Sequence, residues 1–188
     1  MHESTWWLMA PWSNFYVIVG SAAAGLTGLM FVVITLVADG RMGTTHAGIA
    51  TFSTPTIVHF GAALFVAASL AAPWRSLTHV VVLLGLTGVI GLVYALRVIV
   101  LAKNLTQYRP GADDWTWYAI LPLVAYLAIL ASALLLTIAP KNALFVLAAG
   151  VLLLVFIGIH NAWDVVVWIA VGKGEDAGSD SKPESSDR

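Results

Sequence analysis

Five long apolar stretches constrain this chain more than any other feature of its sequence. At a rise of ~1.5 Å per residue, a helix of such length crosses a hydrocarbon core of ~30 Å. Apolar residues make up 60% of the chain and charged residues 10%, whereas about a quarter of a soluble domain is charged. The sequence therefore predicts an all-α integral membrane protein, a bundle of five transmembrane helices. The predicted spans are 15–37, 55–72, 77–102, 116–138 and 143–171.

The basic residues outside the spans predict how the bundle is oriented. Five spans place the two termini on opposite sides of the membrane. The side that holds the first and third connections and the C-terminus carries six Lys and Arg residues, and the other side carries only Arg75 and Lys141. By the positive-inside rule, the N-terminus faces outside and the C-terminus is cytoplasmic, which predicts a location in the plasma membrane.

The chain divides into two parts by composition. Residues 1–172 are predicted to form the five-span domain. Residues 173–188 have no apolar side chain larger than Ala or Pro, so they cannot bury enough surface to offset the cost of ordering and are predicted to be a disordered polar tail.

Pro55 is predicted to begin the second helix, with Ser53 or Thr54 as its cap, because the first helical position tolerates a missing N–H.

Charge and cysteine content exclude several classes of function. The formal net charge is −1 and no basic run occurs, so the positive surface that binds nucleic acid is missing. The chain has no cysteine, which excludes disulfides and thiolate metal sites. No GxSxG motif of a serine hydrolase is present, and no enzyme activity, cofactor or metal ion is predicted. The expected partners are the lipid bilayer and further copies of the chain.

Only two charged residues, Arg97 and Asp164, fall inside predicted spans. A charged group within hydrocarbon is costly and nearly always pairs or faces a polar cavity. Counted from the cytoplasmic helix ends, Arg97 lies roughly 7 Å deep, Asp164 roughly 12 Å and His59 roughly 6 Å. Asp164 is therefore expected to have a partner. The candidates are Arg97, His160 and His59.

Neutral polar residues extend this predicted cluster. His160 lies one turn before Asp164 and shares its helix face, with Asn161 beside it. Tyr94 lies about one turn from Arg97 on the third span. A polar site in the cytoplasmic half of the bilayer is therefore predicted. Its residues are Asp164, His160, Asn161, Arg97, Tyr94 and His59.

Some of these residues also have a purely structural interpretation. Arg97 is close enough to its helix end to extend toward the head groups without a partner. His59 can be an interfacial hydrogen-bonding residue. In the outer half, residue counting places only Thr87 and Tyr126 as comparably polar groups. This asymmetry predicts a pocket or vestibule that opens to the cytoplasm.

Small residues at helical spacing predict close helix packing. Small side chains allow two backbones to approach each other within a membrane. The first and third spans together carry more of them than a single bundle of five helices needs, which favours a homo-oligomer. These residues are Gly20, Ala24 and Gly28 in the first span and Gly85, Gly88 and Gly91 in the third.

The predicted function is an oligomeric ion or proton channel or transporter, because intramembrane ionisable groups most often mark ion or substrate routes. The first alternative is a non-catalytic scaffold, in which a polar pair fixes helix register. The second is a haem- or metal-binding redox protein that uses His59 and His160, with Asp164 as a further metal ligand. Counting puts His160 ~12 Å deeper than His59, a poor match for two axial haem ligands.

Overall fold

The computed structural model describes residues 7–39, 46–74, 76–103 and 111–179. Within these ranges all regular secondary structure is helical, in five long helices and three short elements. The long helices are α1 (Ser13–Asp39), α2 (His46–Ala71), α3 (Leu77–Lys103), α4 (Leu121–Leu135) and α5 (Pro140–Ser179). A 3-10 turn, Ala10–Trp12, precedes α1, and a short helix, Ala112–Trp115, and a π-helical turn, Thr116–Ile120, precede α4.

Five of the helical segments are long and apolar enough to cross a membrane. Large apolar side chains point outward along every one of them, and in water such a surface would drive aggregation. The predicted all-α fold with five such helices is confirmed. Examples of the outward side chains are Ile18, Phe65, Ile90, Leu134 and Phe156. The candidate spans are Trp7–Thr35, Thr54–Ala71, Leu77–Leu101, Thr116–Leu135 and Pro140–Val167.

Two helix boundaries differ from those predicted. Helix α2 begins at His46 and contains Pro55 in its interior, so the prediction that Pro55 starts the helix was wrong. A proline removes one N–H from a helix, and neighbouring helices make this tolerable within a membrane. Helix α5 continues to Ser179, so residues 173–179 of the predicted tail are helical. A change from apolar to polar residues does not by itself end a helix, because the backbone hydrogen bonds do not depend on side-chain polarity. Residues 180–188 lie outside the described part of the chain.

The π-helical turn before α4 follows from Pro122. The Leu121 N–H donates to the Thr116 carbonyl oxygen, five residues back, and Pro122 has no N–H to continue a regular ladder. Such single wide turns within helices occur often at functional sites. Here the wide turn carries Trp117, whose contacts are described below.

The order of the helices in space decides which polar side chains can meet. Helix α1 packs on α2, α2 packs on α5, α5 packs on α4, and α4 packs on α3. Helix α3 also touches α2, and α1 touches α5. Helices α3 and α5 thus lie opposite each other, and α2 and α4 lie between them. Residues of α3 and α5 that lie at the same depth are therefore not automatically neighbours.

Glycine is required at several of these helix contacts. A Cβ on Gly91 would overlap the Tyr126 ring, and one on Gly158 would overlap the Phe60 ring. A Cβ on Gly88 would lie 2.8 Å from the Cβ of Leu130.

The six small residues that the sequence singled out divide into two groups. Gly20, Gly88 and Gly91 lie at helix contacts, and the first of them faces the Cβ of Ala67 at 3.0 Å. Gly28 and Gly85 have open space where a Cβ would stand, and Ala24 is exposed. Half of the set therefore serves packing inside this bundle, and the other half faces outward.

Candidate polar site within the bundle

A buried hydrogen bond joins His59 and Tyr126 inside the bundle. The Nδ1 atom of His59 on α2 lies 3.0 Å from the hydroxyl oxygen of Tyr126 on α4, a normal hydrogen-bond length. Only 2% of His59 and 1% of Tyr126 are exposed. Either the phenol donates its O–H to Nδ1, or Nδ1–H donates to the phenol oxygen, and the tautomer decides which. Gly91 makes room for this tyrosine.

Tyr94 of α3 completes the contact from a third helix. Its ring stands edge-on to the His59 ring, with centroids 6.4 Å apart and an interplanar angle of 83°. Gly91 and Tyr94 lie three residues apart on one face of α3, the face that meets His59 and Tyr126. Helices α2, α3 and α4 therefore each contribute one side chain to this part of the site.

Residue counting placed Tyr126 and His59 at different depths, and their contact shows that this separation was wrong. Side chains in a helix point toward its N-terminus. Helices α2 and α4 are two apart in the chain order of spans and run in the same direction, so the Tyr126 phenol reaches back toward the level of His59. Two features of the sequence could have indicated this contact. Tyr126 lies in a span without charged residues, and it lies at the helix level of Gly91.

A second polar cluster lies on α5. The Nδ1 atom of His160 is 3.3 Å from an Asp164 carboxylate oxygen, and the two side chains are 33% and 43% exposed. The two atoms are close enough for an ion pair when His160 is protonated. They do not form a hydrogen bond, since His160 Nδ1 has no hydrogen-bond partner among the described residues. The His160 ring stacks on Trp117, with centroids 3.8 Å apart and planes at 8°. Trp117 was not among the predicted site residues.

Asn161 is the most unusual polar residue of the site. It is fully buried, and neither its amide nitrogen nor its amide oxygen has a hydrogen-bond partner among the described residues. One turn earlier on the same helix, Gly158 lies against the Phe60 ring of α2, so this face of α5 packs on the helix that carries His59. A buried polar atom without a partner costs about 1–3 kcal/mol. Such a group calls for a functional explanation.

Arg97 is not part of either cluster. Its side chain is exposed, and within the described ranges Asp164 forms its ion pair with His160 and not with Arg97. Arg97 is on α3, which packs on α4 and α2, whereas Asp164 is on α5. The grouping of Arg97 with Asp164 was therefore wrong, because depth alone does not make residues of two helices neighbours. Arg97 instead extends outward from the bundle.

The Asp164→Ala variant tests this assignment. We expect it to change the free energy of unfolding by at most about 1 kcal/mol, because the His160–Asp164 pair is partly exposed. Arg97→Ala is the matched control and should behave similarly. The measurement is thermal unfolding in detergent. A loss of about 3–5 kcal/mol for Asp164→Ala would instead indicate a buried charge left without its partner.

A metal site needs several ligating side chains close together. No group of three His, Asp or Glu side chains that could hold a metal ion occurs among the described residues. Since Gly158 lies against the ring of Phe60, His160 and His59 lie at more similar depths than residue counting suggested. The hydrogen bond from His59 to Tyr126 uses Nδ1, which is compatible with a ligand at Nε2. The redox alternative therefore stays a prediction.

The part of the chain that the structure describes defines an all-helical protein with five candidate membrane spans and polar side chains buried between four of its long helices. The chain matches no protein-family model, no curated protein and no solved structure. Its function is therefore argued from the geometry of the polar site.

Proposed function

We propose that this protein is a multi-pass plasma-membrane channel or transporter for ions or protons, with the N-terminus outside and the C-terminus in the cytoplasm. The site lies in the cytoplasmic half of the bilayer. It comprises the His160–Asp164 pair, Asn161 and the His59–Tyr126 contact.

One observation carries this proposal: polar side chains on α2, α4 and α5 are buried inside a bundle whose outer surface is apolar. Burying such groups in a membrane is costly, and they most often mark ion or substrate routes. Their burial is also graded. His160 and Asp164 are partly exposed, whereas Asn161, His59 and Tyr126 are buried. This gradient leads from the outer surface of the bundle into its interior, as a path into the bundle requires.

The outward-facing small residues support an oligomer of this chain. Ala24 and Gly28 of α1 and Gly85 of α3 contribute little to packing within the bundle. Small residues on a membrane-facing helix surface allow a second helix to approach closely. We therefore propose a homo-oligomer that uses these surfaces.

The Asp164→Asn variant tests the proposed function. Wild-type protein and variant are reconstituted into liposomes at equal density, and proton and cation flux are measured under an imposed pH gradient. We expect flux in the wild type and a loss of most of it in the variant, because the amide cannot take up or stabilise a positive charge as the carboxylate does.

Asp113→Asn is the matched control for this experiment. Asp113 is exposed in the short helix before α4, so the same chemical change there should leave flux unaltered. Equal flux in all three proteins would remove Asp164 from the path. Absence of flux in the wild type would favour the scaffold interpretation, in which the polar contacts only fix the helix packing.

A further inference from the structure

We propose that the species moved through this site is the proton itself, and that the hydrogen-bonded side chains of His59 and Tyr126 relay it. This inference rests on the proposed function and specifies its substrate. A channel for hydrated cations and a path for protons need different side chains where the path is buried. The His59–Tyr126 contact has the groups of a proton path.

Both partners can donate and accept a proton. A neutral imidazole has one nitrogen with a proton and one with a lone pair, and a phenol hydroxyl donates through its hydrogen and accepts through its oxygen. The two heavy atoms are already at the hydrogen-bond distance of 3.0 Å. No movement of the helices is needed before a proton can pass between them.

The transfer step balances with water as the proton acceptor. When Nδ1–H of His59 donates to the phenol oxygen of Tyr126, Nε2 carries the lone pair and accepts the incoming proton. Nδ1 then gives its proton to the phenol oxygen, while the original phenol proton leaves to a water molecule. One proton enters and one leaves, and both side chains end neutral, with the His59 proton on Nε2. Rotation of the His59 ring and of the phenol O–H then restores the first arrangement.

A metal cation fits this point poorly. His59 and Tyr126 are buried, and the ring of Tyr94 is the third side chain at this point. Sodium and potassium ions would have to give up their water shell for an imidazole and phenol groups that carry no negative charge, which is costly inside a membrane. The carboxylate of Asp164 is bound by His160 instead.

Asn161 is placed to connect the partly exposed cluster with the buried one. It neighbours His160 in the chain, and its helix face packs on α2 next to Phe60, the residue that follows His59. Its amide offers two N–H donors and an accepting oxygen, without a hydrogen bond to any described residue. These groups can hydrogen-bond to a proton carrier that passes between the two clusters.

The Tyr126→Phe variant tests the relay. It removes the hydroxyl and keeps the ring that packs against Gly91. Liposomes with an internal pH dye receive a membrane potential from a potassium gradient and valinomycin, and proton uptake is compared with sodium uptake at constant pH. We expect wild-type protein to take up protons but no sodium, and Tyr126→Phe to lose proton uptake by about a hundredfold, the lower end of the contribution of a positioned proton-transfer group.

Tyr16→Phe is the matched control. Tyr16 is 2% exposed, and its hydroxyl has no hydrogen-bond partner among the described residues, so this variant also removes one buried hydroxyl, but far along the chain from the site. Its proton uptake should equal that of the wild type.

Three results would overturn the relay. Sodium uptake that Tyr126→Phe leaves intact and Asp164→Asn abolishes would keep the proposed function and reject the proton as substrate. No flux of either ion in the wild type would reject both proposals. If Tyr126→Phe fails to fold, the test uses the wild-type protein in H₂O and in D₂O. A proton relay requires proton uptake to be slower in D₂O than the higher viscosity of D₂O explains. Equal uptake rates in the two solvents, after correction for viscosity, would reject the relay.

Discussion

The Gly91→Ala variant is expected to lose about 1–3 kcal/mol of stability, the usual cost of overpacking a well-filled interior. The added methyl group would overlap the Tyr126 ring, and the ring cannot move away freely because its hydroxyl is bonded to His59. The variant must therefore separate α3 from α4 or break the buried hydrogen bond. Thermal unfolding in detergent measures the effect, and each kcal/mol lowers Tm by roughly 2–4 °C for a chain of this size.

Gly61→Ala on α2 is the control. No atom lies within 4 Å of a Cβ built on Gly61, so the same substitution should leave Tm unchanged or raise it slightly, because alanine favours a helix more than glycine does. Equal Tm values for the two variants would mean that α3 and α4 are not in contact at Gly91. Combining Gly91→Ala with Tyr126→Leu should recover part of the loss, since changes at contacting residues are not additive.

The Asn161→Leu variant is expected to become more stable and to lose flux. Leucine has a similar volume and removes two buried polar atoms that have no hydrogen-bond partner among the described residues. Each such atom costs about 1–3 kcal/mol, so Tm should rise by several degrees. If Asn161 carries protons or ions between the two clusters, the same change should abolish uptake in liposomes. A gain in stability together with a loss of function is typical of a functional site.

Asn142→Leu is the matched control for this variant. Asn142 lies exposed near the start of α5, so the same substitution on the same helix should alter neither Tm nor flux. A large fall in Tm for Asn161→Leu would contradict the prediction. It would show that the amide is satisfied by a partner and that its role is to hold the bundle together.

The helices were predictable because each depends on local properties of the sequence. The length and apolarity of a stretch determine whether it can cross a bilayer, and the five stretches predicted match five candidate spans. The two boundaries that differed, at Pro55 and after residue 172, lie where local signals are weaker. A proline can sit inside a membrane helix, and a change from apolar to polar residues need not end the helix.

The site was predictable only where its residues are close in the chain. His160 and Asp164 lie four residues apart, so the helix period alone brings them together. His59 and Tyr126 are 67 residues apart, and their contact depends on which helices are neighbours. The same dependence explains why Arg97 and Asp164 do not meet. Depth can be counted from the sequence, but the lateral order of five apolar helices cannot.

The wide turn at Thr116–Ile120 makes the length of this segment matter as much as its residues. A π-helical turn holds one residue more than an α-helical turn, so deleting one residue there removes the extra residue and leaves the flanking helix in its present orientation. A further inserted residue is not absorbed in this way and would rotate everything before it by about 100°. Trp117 would then leave the His160 ring, while Tyr126 would stay against Gly91. Such an insertion would thus separate the two polar clusters without changing any side chain in either one.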